Sequence, residues 1–421
     1  MSAGYGAKVN RSLQQLGESA PRVVMANLAH RGWLWGGLQR PCVESARCLV
    51  RCCHVDLVKV IICMIVITTN AIVSGELSSS RGIVQLREWG TVRSHPLPTQ
   101  ALRCRLGTED GCAVLLSDPE VLPVHAQLTR ERQRWLIRAL GDDPGLWRDG
   151  ARTDAFCLEP GLEVGVGQTT LIAEDEQWMA LRGFCARMLG WGGERRVAVD
   201  RALRSIRLSL THRAPLLLRC ESDAVPIAHA LHRRTLGADR PFVVCDPRRR
   251  DGTESIRSAG NHRTGAAAAQ AAAGGSLCVR ARRLPPDVPA LLAGLREPGT
   301  GTQLIVCLDR EDAAAFLSEP IEVPSLSTRA QDLPRIVDEY AQDAIGVLDV
   351  PATSFLPDDR RWVLEHAATS LPEIEKATLR RVALRSSANV SRAAARLGMA
   401  PVSLSRWLAR HNLATGSAVA S

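Results

Sequence analysis

The hydrophobic period changes twice along this chain, and that change limits its fold more than any single residue does. Between residues 83 and 175 the apolar residues come in short runs: Ile83–Leu86, Ala113–Leu116, His125–Leu128, Trp135–Leu140, Glu163–Val166 and Thr170–Ile172. Turn signals separate them, among them Glu109-Asp110-Gly111, Asp142-Asp143-Pro144-Gly145, Arg148-Asp149-Gly150 and Pro160-Gly161. Many short strands at near-regular spacing predict an all-β sandwich. From 195 to 365 strand-like runs alternate with helical stretches: Pro215–Leu218, a helix over Val225–Leu236, Phe242–Cys245, Ser276–Val279, an amphipathic stretch over Val288–Leu295, and Leu304–Cys307. That alternation predicts an α/β module with a mostly parallel sheet. Beyond Leu371 the period becomes helical. One layer architecture cannot serve all three patterns, so the 421 residues are read as multidomain.

Within Leu371–Leu413 three helices follow from apolar spacing. Ile374, Thr378 and Val382 form a stripe on the first, with Leu379 and Ala383 beside it. Val390, Ala393, Ala394 and Leu397 repeat at i, i+3, i+4, i+7 on the second, and Leu404, Trp407, Leu408 and His411 do so on the third. Asn389 suits an N-cap, Gly398 a C′ position, and Pro401 a first helical turn. Only Gly398-Met399-Ala400 separates the second helix from the third, which predicts a helix-turn-helix. The charge is concentrated here: eight basic and two acidic side chains give +6 in this block, against +9 for the whole chain. Phosphate neutralisation wants such a concentration.

Composition removes several classes. A hydrophobic share of 45% with 23% charged residues excludes a wholly disordered chain, a collagen and a polytopic membrane protein. Lysine occurs only at Lys8, Lys59 and Lys376, so no GxxxxGK[ST] phosphate loop exists in the body of the chain. The thirteen cysteines contain no CxxC pair and no zinc spacing, which predicts free thiols in a reducing cytoplasm and no metal or cofactor. Residues 1–82 are unassigned, and are expected to be disordered or to result from a start codon assigned upstream of the real one. Their uncharged run, Val60–Gly75, is short for a membrane span and carries Thr68, Thr69 and Asn70, so no membrane association is expected.

Val121–Ala126 (VLPVHA), the Trp147–Arg152 turn (WRDGAR) and Leu158–Leu171 (LEPGLEVGVGQTTL) resemble the forkhead-associated (FHA) domain. That family binds phosphothreonine through an Arg after a Gly, a Ser three before a His, and an Asn before a Gly. Here Thr108 follows Gly107, Leu122 replaces the Ser, and Pro144 precedes Gly145. Only His125 matches, and its family role is to brace the loop. The resemblance therefore implies a kept sandwich and a lost phosphopeptide chemistry.

Residues 195–365 resemble the AAA+ module of sigma-54-dependent activators (bacterial enhancer-binding proteins). The likeness rests on Pro215–Ser222 (PLLLRCES), Gly274–Leu277, Leu284–Glu297 and above all Ile321–Ala341 (IEVPSLSTRAQDLPRIVDEYA). The family's phosphate loop is replaced by Cys220–Pro226, with no Gly and no Lys, and Arg280 and Ala281 stand where it has its Mg-binding Asp-Glu. The sigma-factor-engaging loop is absent, the region reading RTGAAAAQAAAGG. Asn389–Leu413 (NVSRAAARLGMAPVSLSRWLARHNL) resembles the Fis-type DNA-binding domain that ends those activators. By position, Pro401, Val402, Ser403, Ser405, Arg406 and Arg410 line or flank the DNA-reading face, and Arg406 is placed for a guanine or phosphate contact.

The fold expectation is an FHA-like sandwich (83–175), a degenerate AAA+-like α/β module (195–365) and an all-α helix-turn-helix (371–413). The resemblances imply a bacterial, cytoplasmic, DNA-binding transcription regulator that binds double-stranded DNA as a homodimer through its C-terminal helices. It would be no enzyme, with no catalytic residue, cofactor or metal, and a protein partner would sit on the FHA-like domain. The alternative is an FHA-like protein-interaction scaffold with vestigial DNA binding. A third reading is an ATPase with an unorthodox site.

Overall fold

A computed structural model describes residues 82–411 except 142–144, 254–258, 298 and 310–318. The readings of residues 1–81, including five of the cysteines and Val60–Gly75, lie outside the described residues, as does Pro144.

Two sheets build the first unit. One has six strands in the order β2-β1-β11-β10-β7-β8: β1 is Gln85–Glu88, β2 Ser94–Pro96, β7 Leu146–Arg148, β8 Ala151–Arg152, β10 Glu163–Val166 and β11 Thr169–Glu174. The other has five in the order β4-β3-β5-β6-β9: β3 is Arg103–Gly107, β4 Val114–Leu115, β5 Ala126–Glu131, β6 Arg134–Ala139 and β9 Ala155–Cys157. Their inner faces enclose Leu86, Leu106, Leu128, Ile137, Leu146, Leu162 and Leu171, all fully buried. The period-two alternation of Arg134–Ala139 puts Trp135 and Ile137 inward and Arg134 and Arg138 outward.

Helix α1 (Glu176–Leu189) begins where Asp175 accepts the Trp178 N–H, and α2 (Arg196–His212) follows. Between sandwich and α2 lies a buried charge network. Arg87 of β1 donates to both Asp200 oxygens (3.1 and 2.5 Å) and through Nε to Glu174 of β11 (2.9 Å). Glu174 also accepts from Arg182, and Asp200 from the Gly90 N–H. Nearer the surface Arg207 pairs with Asp149, and Arg204 pairs with Glu163 while lying over the Trp89 ring. The sandwich is thereby fastened to α2 by side chains from two of its strands and two of its loops.

The second unit is a six-stranded, wholly parallel sheet in the order β14-β13-β15-β16-β12-β17. The strands are β12 Leu216–Arg219, β13 Phe242–Cys245, β14 Gly260–His262, β15 Ser276–Arg280, β16 Gln303–Leu308 and β17 Ile321–Glu322. One face meets α1, α2 and α3 (Val225–Thr235); the other meets α4 (Gly265–Ala271) and α5 (Val288–Arg296). Burial on both faces explains why these strands read as continuous apolar runs.

Five further α-helices follow among the described residues: α6 Leu333–Leu348, α7 Pro357–His366, α8 Leu371–Arg385, α9 Val390–Arg396 and α10 Pro401–Arg410. They share one apolar core with α1–α3, running from Trp178 and Phe184 to Leu404 and Trp407. Asp359 of α7, fully buried, accepts from Arg381 and Arg385 of α8 and from the Leu356 N–H. No helix of the described residues is long and apolar enough to cross a membrane. The eight described cysteines are free thiols.

Candidate functional site

The sandwich rim is built around Gly107 and His125. Thr108 N–H donates to Leu122 O (3.2 Å) and Glu109 N–H to Pro123 O (3.1 Å), so the two loops lie edge to edge. A Cβ at Gly107 would stand 2.1 Å from Pro123 O and 2.9 Å from Leu122 O, both backbone atoms. Buried His125 accepts the Leu122 N–H at Nδ1 (3.3 Å), which leaves Nε2 to donate to Gly145 O (3.4 Å). Burial holds its pKa below the usual imidazole value, so the ring is a neutral brace. Where the resemblance asks for phosphate donors, the rim offers half-buried Thr108 and exposed Leu122. The unit is a two-sheet β-sandwich that keeps the His125 brace the resemblance implies and presents neither the arginine nor the serine. Gly107→Ala is expected to destabilise the chain by about 1–3 kcal/mol, read as a lower urea midpoint, because backbone must move to admit the methyl.

At the carboxyl end of the parallel sheet, β12 lies between β16 and β17, so the loop after it opens at the point where strand order reverses. A crevice of about 340 Å³ is found there, lined by Glu221–Ala224, Arg280, Arg283 and Cys307–Asp309. Arg280 donates to both oxygens of Asp223 (2.7 and 2.9 Å). Asp223 also accepts the Val225 N–H (3.0 Å) at the start of α3. Burial alone would raise the Asp223 pKa; the Arg280 hydrogen bonds and the Val225 N–H overcome it and hold the carboxyl below its usual range. Behind them, wholly buried Asp246 accepts from Arg283 (3.3 Å). The helix start that suits a phosphate thus already holds a carboxylate, and a cation from β15 covers it.

A larger cleft of about 1110 Å³ opens between α3, α6, α8 and α10, with His229, Arg233, Lys376, Arg380 and Trp407 in its wall. His229 stacks on Phe242 at 4.7 Å, and burial, with the Arg233 charge, lowers its pKa to about 4. The unfolded chain therefore takes up a proton at His229 below the ordinary 6.5, whereas the folded chain does so only near 4. This contribution to stability is complete above 6.5 and lost as pH falls to 4. His229→Gln is expected to flatten that part of the melting temperature's fall with acidification.

The C-terminal residues named from sequence come together on α10. Pro401, Val402, Arg406 and Arg410 are exposed and Ser403 and Ser405 half-buried, while Leu404, Trp407 and Leu408 face the core. Asn389 accepts the Arg392 N–H (2.9 Å), and Gly398 turns the chain at φ +60°. Much of the positive charge counted from sequence is engaged inside the chain. Arg381 and Arg385 serve Asp359, Lys376 meets Glu373, and Arg396 donates to the Ser386 and Leu348 carbonyls. Arg392, Arg406 and Arg410 make no ion pair among the described residues. The apolar stripe of α8, one of the C-terminal helices through which a homodimer is expected, is covered by the chain itself: Ile374, Thr378 and Val382 are fully buried, Ile374 in the core shared with α6 and α7. That stripe is not free for a second copy, because α8 serves as the packing partner of the helices before it.

The charge network at Arg87 and Asp200 and the acid at Asp359 were not signalled by the sequence, since each joins residues far apart or lies in an ordinary polar run. No group of His, Cys, Asp or Glu among the described residues is arranged to hold a metal ion.

A family model described as the inner membrane component of T3SS, cytoplasmic domain, matches residues 90–177. No curated protein matches. Among solved structures, an FHA domain studied for phosphothreonine-dependent interactions is 19% identical, covering 22% of this chain and 95% of that chain, with a TM-score of 0.21. The FHA domain of a Chlamydia trachomatis protein is 20% identical, covering 22% and 95%, with a TM-score of 0.20. EmbR of Mycobacterium tuberculosis, in complex with a low affinity phosphopeptide, is 20% identical, covering 22% and 24%, with a TM-score of 0.21.

Proposed function

We propose that this chain is a protein-interaction scaffold. Its FHA-like sandwich engages a protein partner, and the parallel-sheet module holds that sandwich in fixed relation to the C-terminal helices without hydrolysing nucleotide. The observation that carries this reading is the self-filled crevice: Asp223 occupies the start of α3 and Arg280 neutralises it, so phosphate meets a carboxylate and a metal ion meets a cation. The strand order, with the first strand between the last two, supports a module resembling the AAA+ fold with its chemistry removed. The buried Arg87–Asp200 fastening supports a scaffold, because it makes the sandwich a rigid display element. ATP with Mg²⁺ is expected to leave the melting temperature unchanged; a rise that grows with ATP concentration would contradict the reading.

A second reading is DNA binding by a Fis-type helix-turn-helix, and one arrangement favours it. The short turn at Gly398–Ala400 leaves α10 with Val402, Arg406 and Arg410 outward over a buried Leu404–Trp407–Leu408 base. On this reading Arg406→Ala weakens a selected duplex by about 1–3 kcal/mol in a gel shift. Equal shifts for the variant and the native chain would count against it.

A further inference from the structure

Many arginines among the described residues have acidic partners: Arg87, Arg187, Arg207, Arg280 and Arg381 all pair with Asp or Glu. The outer face of the five-stranded sheet is different. Register places Arg105, Gln127, Arg138 and Ala155 in one row across β3, β5, β6 and β9. Arg103, Thr129, Leu136 and Cys157 form the next row, and Glu131 stands opposite Arg134 beyond it. Arg103, Arg105, Arg134 and Arg138 are exposed, and none of the four has a hydrogen bond or ion pair from its side chain among the described residues. A face with four uncompensated guanidinium groups and one carboxylate is held in place by a core that has no use for those charges.

We propose that this outer face is the docking surface for an acidic, extended segment of a partner protein. The proposal rests on the scaffold reading and names the face and the chemistry. Charge complementarity supplies the sign. Spacing supplies the form: Arg103 and Arg105 project about 7 Å apart, the distance between alternate side chains of an extended peptide. Arg105 and Arg138 lie about 10 Å apart across two strand spacings. Leu136, half-buried between Arg134 and Arg138, offers an apolar contact between the charges. Guanidinium forks match carboxylates two bonds at a time. The outward residues of these rows include no aromatic side chain on which a nucleic-acid base would stack.

The test is fluorescence anisotropy of the full chain with a labelled oligoglutamate peptide, set beside a labelled DNA duplex and anionic phospholipid vesicles. The native chain is expected to bind the peptide in a salt-sensitive way, and Arg105→Glu with Arg138→Glu to weaken it by about tenfold or more. Arg406→Glu, a similar change of charge elsewhere, is expected to leave peptide binding unchanged. All four arginines are exposed, and unaltered melting temperatures would show that the variants fold. Peptide binding by the double variant equal to that of the native chain would overturn the proposal. So would a face that binds only duplex or only vesicles, with that binding lost in the double variant. If a protein crosslinks to the sandwich equally well in the double variant, the scaffold reading stands and this face falls.

Discussion

Asp200→Ala is expected to cost the folded chain about 3–5 kcal/mol, the largest single-residue effect outside the apolar core. Asp200 accepts from both Nη atoms of Arg87 and from the Gly90 N–H, at 2% side-chain exposure. Its removal leaves Arg87 buried with Glu174, which Arg182 already shares. The penalty is that of an uncompensated charge, not of one lost hydrogen bond, so replacing both partners should behave differently. Asp200→Leu with Arg87→Met is expected to recover a large part of the loss. A urea midpoint for the double variant as low as that of Asp200→Ala would show that the network acts by some other route. Because the network joins β1 and β11 to α2, Asp200→Ala should also speed proteolysis between sandwich and module.

Asp359→Ala is the second, expected at about 3 kcal/mol, the low end for a buried pair because Arg385 is about a third exposed. The carboxylate joins α8 to α7 through Arg381 and Arg385 and closes the start of α7 through the Leu356 N–H. The same junction carries an aromatic group, Trp362 of α7 meeting Trp407 of α10 at 5.5 Å. Asp359→Asn keeps an acceptor for Leu356 and is expected to lose less. Equal losses for the two variants would mean that the backbone hydrogen bond contributes nothing measurable.

Periodicity made much of the fold legible. β10 and β13 lie where the apolar runs place them, and of the stripe residues predicted for α9 and α10, Ala393, Ala394, Leu397, Leu404, Trp407 and Leu408 are buried while Val390 and His411 are half-buried. Helices α1 and α2 went unread although their signals are present. Trp178, Leu181, Cys185 and Met188 recur at helical spacing after a capping Asp175, as do Val199, Leu203 and Ile206. Strand β3 escaped because its outward positions are arginines, which mask a short alternating run. The site was legible by subtraction. Missing glycines and a missing lysine argued against a phosphate cradle after β12. That Asp223 and Arg280 close the crevice on each other depends on a contact across 57 residues, which no local pattern records. Charge counting overstated the C-terminal block for the same reason, since the acid serving two of its arginines lies at Asp359, outside the window counted.

The central claim is that a protein partner meets the sandwich. Benzoylphenylalanine placed in turn at Leu122, at Gln127 and at Val402 of the full chain, followed by irradiation in living cells, tests it most directly. The account predicts a discrete protein adduct from at least one of the two sandwich positions. Adducts to DNA from Val402, with no protein adduct from Leu122 or Gln127, would contradict it.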